Sequence, residues 1–195
     1  PKNLDTYLGI PKYRRQVVEG DPEVGVVTGL AWTVSGGEIL PIEAAQMVGT
    51  GKLKLTGNLK DVMKESAETA LSYARTLCPD LPADHFKNHD LHIHVPEGAV
   101  PKDGPSAGVS MTTAMVSLLT DVPVRKDVAM TGEVTLRGKV LAIGGLPEKS
   151  VAAMRAGARV LIIPKENEKD CQELPAVIKR HMEIHLVDHV DEVLA

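Results

Sequence analysis

From Ala107 to Leu119 the chain is apolar almost all the way round a helical wheel. Ala107, Val109, Met111, Ala114, Met115, Val116, Leu118 and Leu119 leave no broad polar face. A helix hydrophobic on every side cannot lie on a surface, so it has to run through the middle of the fold with other elements packed around it. Composition limits what can do that packing. Hydrophobic residues make up 43% of the 195 residues, enough for one substantial core or two small ones. Aromatic residues are only 3%, so the core is expected to be aliphatic, with Trp32 and Phe86 as isolated large rings.

Around this helix the pattern alternates between strand and helix. Val24–Trp32 and Gly37–Glu43 are β-rich runs joined by Ser35-Gly36-Gly37, a hairpin signal. Lys52–Thr56 reads as a third strand. Asn58 is placed to cap a helix reaching about Leu77, with Leu59, Val62, Met63, Ala67, Ala70, Leu71 and Ala74 at helical spacing. Leu91–Val95 alternates as a strand. Val128–Thr131 and Leu136–Ile143 read as a strand pair turning at Gly138. Pro147 opens a helix that Gly157 ends near Ala156. Arg159–Pro164 and Glu183–Val187 read as strands, and Glu168–Leu174, Ala176–His181 and Val190–Leu194 as short helices. Early hairpins followed by α/β alternation give an α+β single domain over residues 21–195, with room for a two-lobed layout. Residues 1–20, basic and poor in apolar side chains, read as a linker or the end of a preceding domain. The start without methionine reads as a fragment of something larger.

Several function classes are disfavoured at once. A net charge of −4 without a basic stripe argues against a general nucleic-acid binder. The two cysteines, Cys78 and Cys171, have neither metal nor disulfide spacing and fit a reducing compartment. No apolar run approaches the ~18–20 residues of a membrane span, and no signal-peptide core opens the chain, so a soluble, intracellular location is expected.

Two motifs look like chemistry and fail on inspection. Val48-Gly49-Thr50-Gly51-Lys52-Leu53 resembles a phosphate loop, but position 46 is Gln where the first glycine belongs, and Leu53 replaces the magnesium-binding hydroxyl. It reads as a tight loop before a strand. His181, His185 and His189 are spaced by four, as are His85 and His89. The alternation of Met182–Val187 breaks any shared helical face, and neither set has a convincing third ligand, so no metal site is expected.

Gly104-Pro105-Ser106-Ala107-Gly108 is different. It sets a serine between two glycines at the start of the apolar helix, where another backbone can approach and the helix dipole favours developing negative charge. The G-x-S-x-G pattern alone would also fit an α/β-hydrolase elbow, which needs a strand immediately before the serine and an acid and histidine after it. Here a loop, Pro96–Pro101, intervenes. The partner that stands out is Lys149 in Gly144-Gly145-Leu146-Pro147-Glu148-Lys149, in the first turn of a helix. The helix dipole and burial both disfavour its ammonium there, driving it towards a neutral amine able to take a proton from Ser106.

With Pro101-Lys102-Asp103-Gly104-Pro105-Ser106-Ala107-Gly108, Met130–Gly138 and Gly144–Lys149 together, the chain resembles the proteolytic domain of Lon proteases, the ATP-dependent Ser-Lys peptidases. The likeness extends through Gly29–Thr33, Pro41–Glu43 and His92–Gly98 and spans essentially residues 20–195. It implies an α+β fold like the second domain of a small-subunit ribosomal protein, an α/β sandwich with N-terminal β-hairpins. It implies Ser106 as nucleophile, Lys149 as base and Thr131 as the hydroxyl that holds the lysine amine. Asp103 would gate or shape the site, with an N-cap as the competing and compatible account. The oxyanion would be received around Gly104, Pro105 and Ala107, and Glu43, His92 and His94 would lie near the site or at subunit contacts. The family pattern further implies unfolded polypeptides as substrates, a hexameric ring, and a cytoplasmic (bacterial) or mitochondrial-matrix location. No cofactor belongs to this domain; ATP and magnesium would serve an ATPase module that these residues do not include. Two other readings are a non-catalytic ring scaffold, which the presence of both Ser106 and Lys149 disfavours, and an esterase that would depend on His189.

Overall fold

The computed structural model describes residue 18 and residues 20–195. The linker expected over residues 1–20 therefore lies, apart from residues 18 and 20, outside the described residues. The first β-rich run forms a long antiparallel hairpin, β1 (Val26–Thr33) and β2 (Gly36–Val48), in register from Val26 opposite Glu43 to Thr33 opposite Gly36. The later strands are β3 (Leu53–Thr56), β4 (His89–His94), β5 (Val128–Met130), β6 (Glu133–Val134), β7 (Val140–Leu141), β8 (Val160–Pro164) and β9 (Glu183–Val187). Seven of these build one mixed sheet in the order β3-β4-β2-β1-β5-β8-β9. Antiparallel pairing is confined to β4/β2 and β2/β1, while β3/β4, β1/β5, β5/β8 and β8/β9 are parallel. Among the described residues the helices are α1 (Asp61–Leu77), α2 (His85–Asn88), α3 (Gly108–Thr120), α4 (Leu146–Ala156), α5 (Ala176–His181) and α6 (Asp191–Leu194). The domain is α+β, as the sequence indicates.

Parity along the central strands divides the core in two. Val27, Leu40, Ile42, Met130 and Ile162 face one cluster, completed by Met63, Ala67, Ala70 and Ala74 of α1 and Val109, Met111 and Met115 of α3. Leu30, Ile39, Ala129, Leu161 and Ile163 face the other, closed by Leu146, Ala153 and Ala156 of α4 and Ile178 of α5. Because both faces of β8 are covered, every residue from Val160 to Pro164 is buried, and the sequence reads as an unbroken apolar run rather than an alternation. The all-round apolar helix is α3, buried continuously from Gly108 to Ser117. The two cores share one sheet, so the two-lobed layout does not arise.

Three local readings are corrected. Helix α1 starts at Asp61, and Asn58 does not cap it; Asn58 sits before the helix at φ 58°. The side-chain acceptor for the α1 terminus comes from elsewhere, as Met63 N–H donates to Asp103 Oδ1 at 3.2 Å. Val128–Met130 does not pair with residues 136–143. It pairs in parallel with β1 and β8, and the small hairpin around Gly138 is made by β6 with β7. Glu168–Leu174 is not a helix but part of a stretch with two short 3₁₀ turns, Lys165–Asn167 and Asp170–Gln172.

Candidate active site

Three elements from distant parts of the chain meet at one point. Ser106 lies in the turn just before α3, Thr131 directly after β5, and Lys149 in the first turn of α4. The Lys149 amine donates to Ser106 Oγ at 3.0 Å and to Thr131 Oγ1 at 3.1 Å. Thr131 spends its own hydroxyl proton on the Ser106 carbonyl, 3.1 Å away, and Gly132 N–H donates to the same carbonyl at 2.8 Å. With its proton committed, Thr131 Oγ1 can only accept from the amine. That leaves the lone pair of a neutral Lys149 for the Ser106 O–H.

Burial makes that neutral form accessible. Lys149 is 2% exposed and Thr131 1%, and removal from water lowers the lysine pKa from 10.5 to about 8. No carboxylate counters the shift. Two glycines allow α4 to reach this depth. At Gly37, a Cβ would stand 2.0 Å from the Glu148 carbonyl, so only glycine lets the first turn of α4 press against β2. Gly145 caps α4 in the left-handed region at φ 69°, under the ring of Trp32. Replacing Gly37 with Ala is expected to push the first turn of α4 off the hairpin. The expected cost is about 3 kcal/mol of stability, with Lys149 drawn away from Ser106 because it moves with that turn. Thermal melts check this; an unchanged melting temperature rejects it.

A cleft of about 740 Å³ opens over Ser106 and Lys149. Trp32, Thr33 and Glu38 of the hairpin form one side, Glu97 and Val100–Pro105 another, and Ala142–Gly145 a third. Of the segment expected to receive an oxyanion, Pro105 has no N–H, and Gly104 N–H is spent on Asp103 Oδ1 at 2.9 Å. The donors this turn offers are therefore the Ser106 and Ala107 amides rather than those of Gly104 and Pro105. Asp103 lines the cleft, and its hydrogen bonds go to backbone amides rather than to Ser106 or Lys149. It receives the Gly104 and Met63 amides, so it caps α1, not the helix that follows it.

Other residues singled out in the sequence lie away from this point. His92 Nε2 and His94 Nδ1 share the Thr56 hydroxyl at 2.8 and 2.7 Å on the sheet surface, with Glu43 opposite His94 in register. None of the three lines the cleft. His189 is engaged by Arg137 O, Asp191 and the Tyr73 ring, which removes the histidine that an esterase triad would need. Among the described residues no group of three or more potential metal ligands forms. The phosphate-loop look-alike already holds an anion of its own. Thr50 and Lys52 N–H both donate to Asp90 Oδ1, at 2.8 and 2.9 Å, and these bonds pull the Asp90 carboxyl below its ordinary pKa.

One residue at the site escaped the sequence reading. Ser66, buried within α1, donates to Pro105 O at 3.1 Å and ties the residue before Ser106 to that helix. A serine inside a helical pattern carries no signal of such a contact.

Across residues 1–195 the chain matches the family model described as the Lon protease (S16) C-terminal proteolytic domain. The chain belongs to this family. It is 55% identical over 196 residues to a Lon protease of Desulforamulus reducens, covering 100% of this chain and 24% of that protein. A Lon protease of Brucella suis is 56% identical over 195 residues, 99% of this chain and 24% of its own length. One of Heliobacterium modesticaldum is 55% identical over 194 residues, 98% and 24%. The chain thus spans about a quarter of the length of these curated Lon proteases.

Proposed function

We propose that this domain hydrolyses peptide bonds with Ser106 as nucleophile and Lys149 as its general base. The observation that carries the proposal is a nearly dry lysine amine, with its pKa brought down to about 8, lying 3.0 Å from a serine hydroxyl at the floor of a cleft. An ordinary ammonium could not accept a proton at neutral pH; this one is deprotonated in a useful fraction of molecules.

In this mechanism Lys149 takes the proton as Ser106 Oγ forms its bond to the scissile carbonyl carbon. Negative charge gathers on the carbonyl oxygen, towards the Ser106 and Ala107 amides. Collapse of the tetrahedral species breaks the C–N bond, and the lysine proton leaves with the amine. Water then adds to the acyl ester, with Lys149 again taking the proton, and Ser106 is regenerated. Thr131 holds the amine in the orientation that keeps its lone pair on Ser106. In the full-length protein we place this peptidase behind an ATP- and magnesium-dependent unfolding module, in a hexameric ring acting on unfolded polypeptides in a bacterial cytoplasm or a mitochondrial matrix.

The direct test is covalent. A phosphonylating serine reagent should label Ser106 alone, as read by peptide mass spectrometry, and labelling should speed up as pH rises through about 8. Labelling spread over other serines, or a rate indifferent to pH in that range, would reject the dyad. The small-ester hydrolase reading gains nothing from the geometry, because its histidine is elsewhere.

A further inference from the structure

Lys102 ties down the loop that forms one wall of the cleft. Its ammonium carries three protons, and each has a main-chain carbonyl: Gly57 O at 3.0 Å, Glu97 O at 2.8 Å and Val100 O at 3.2 Å. The backbone of the same residue is engaged on both sides. Its amide donates to Asn58 O at 3.1 Å, and its carbonyl accepts from Lys60 N–H at 2.8 Å. One side chain therefore joins the turn after β3 to the loop running from Pro96 to Pro101. Inside that loop Glu97 takes φ 64°, and Val100 N–H folds back onto Glu97 O. Burial draws the Lys102 ammonium below its ordinary pKa, while the Glu97 and Glu38 carboxylates oppose that shift.

Glu97, Val100 and Pro101 all face the cleft above Ser106. The nucleophile itself is held by other means. Its carbonyl is fixed by Gly132 and Thr131, and Pro105 O by Ser66. Wall and nucleophile thus have separate supports, and only the wall depends on the lysine.

We propose that Lys102 is a positioning residue whose carbonyl-capped ammonium sets the cleft wall against which a substrate chain is laid. This rests on the peptidase reading above. Loss of the ammonium should weaken substrate binding while leaving the proton transfer between Ser106 and Lys149 intact.

The test is Lys102→Met in the whole domain, with KM and kcat measured separately on a fluorogenic peptide and amide hydrogen exchange followed over residues 97–102. KM should rise about tenfold with kcat within about threefold. The rise in rate through about pH 8 should stay in place, and exchange of the loop amides should quicken by about tenfold. A merely structural lysine would lower the melting temperature without this split between KM and kcat. If the Met variant melts below the assay temperature, Lys102→Gln, which keeps two donors, is measured instead. An unchanged KM, or a loss confined to kcat, overturns the proposal. If the peptidase reading itself failed, wild-type protein would cleave nothing and leave Ser106 unlabelled. The exchange comparison would then decide alone, and unchanged exchange would dispose of the clasp.

Discussion

Replacing Lys149 with Gln is expected to lower peptide hydrolysis by about 10³-fold or more, a loss matched by Ser106→Ala, with the fold retained in both. Gln is one atom shorter but keeps a polar, uncharged end with N–H donors, and it has no lone pair basic enough to take the Ser106 proton. The two changes should not add. Once either partner is gone, the other has no proton to pass, so the double variant should be about as slow as each single one. The pH profile of the wild-type domain gives the same result without mutation. With the Lys149 pKa at about 8, about a tenth of molecules carry the free amine at pH 7 and about nine-tenths at pH 9. Rate should therefore climb about tenfold between those points and then level. A flat profile, or a Gln variant retaining more than a tenth of wild-type turnover, would remove Lys149 from the chemistry.

Much of this arrangement could be read from the sequence where the cause is local. The all-round apolar pattern of Ala107–Leu119 dictates a buried helix, and α3 is one. Pro147 and Gly157 bracket α4 as their backbone preferences require. The readings that missed share a different physics. Local capping chemistry favours Asn58 at the α1 terminus, but the carboxylate that serves the helix belongs to Asp103, about 40 residues later. Sequence proximity pairs Val128–Met130 with its neighbour, whereas parallel strands find partners across crossover helices and leave no short-range mark. At the site, Ser106 stands out because flanking glycines open it to another backbone at a helix start, and Lys149 because its position in a first helical turn disfavours the ammonium. Ser66 and the clasp of Lys102 do not, since their partners are main-chain carbonyls that any residue could supply.

A catalytic amine kept dry should be costly to the fold, and that cost can be measured. Lys149 titrates at 10.5 when exposed and at about 8 in the folded domain. Between those values the unfolded chain binds more protons than the folded one, so stability should rise with pH through the window from about 8 to about 10.5. Below about pH 8 both states are protonated and the penalty is fully present, worth about 3 kcal/mol for a shift of this size. Lys149→Met removes the charge while keeping an unbranched chain to fill the space. Thr131 retains its bond to the Ser106 carbonyl, and Ser106, only partly buried, can turn its hydroxyl to water. The Met variant should therefore be inactive yet more stable at pH 7, by about 2–3 kcal/mol, equivalent to about 5 °C or more in melting temperature for a domain of this size. Its stability should also lose the upward slope above pH 8 that the wild type shows. Denaturant unfolding at pH 7 and pH 10 measures both quantities on one pair of proteins. A Met variant less stable than wild type at pH 7 would mean that burying the ammonium carries no net penalty, and one with the same pH slope would mean that Lys149 stays charged in the fold up to its ordinary pKa. In that event it could not serve Ser106 as a base.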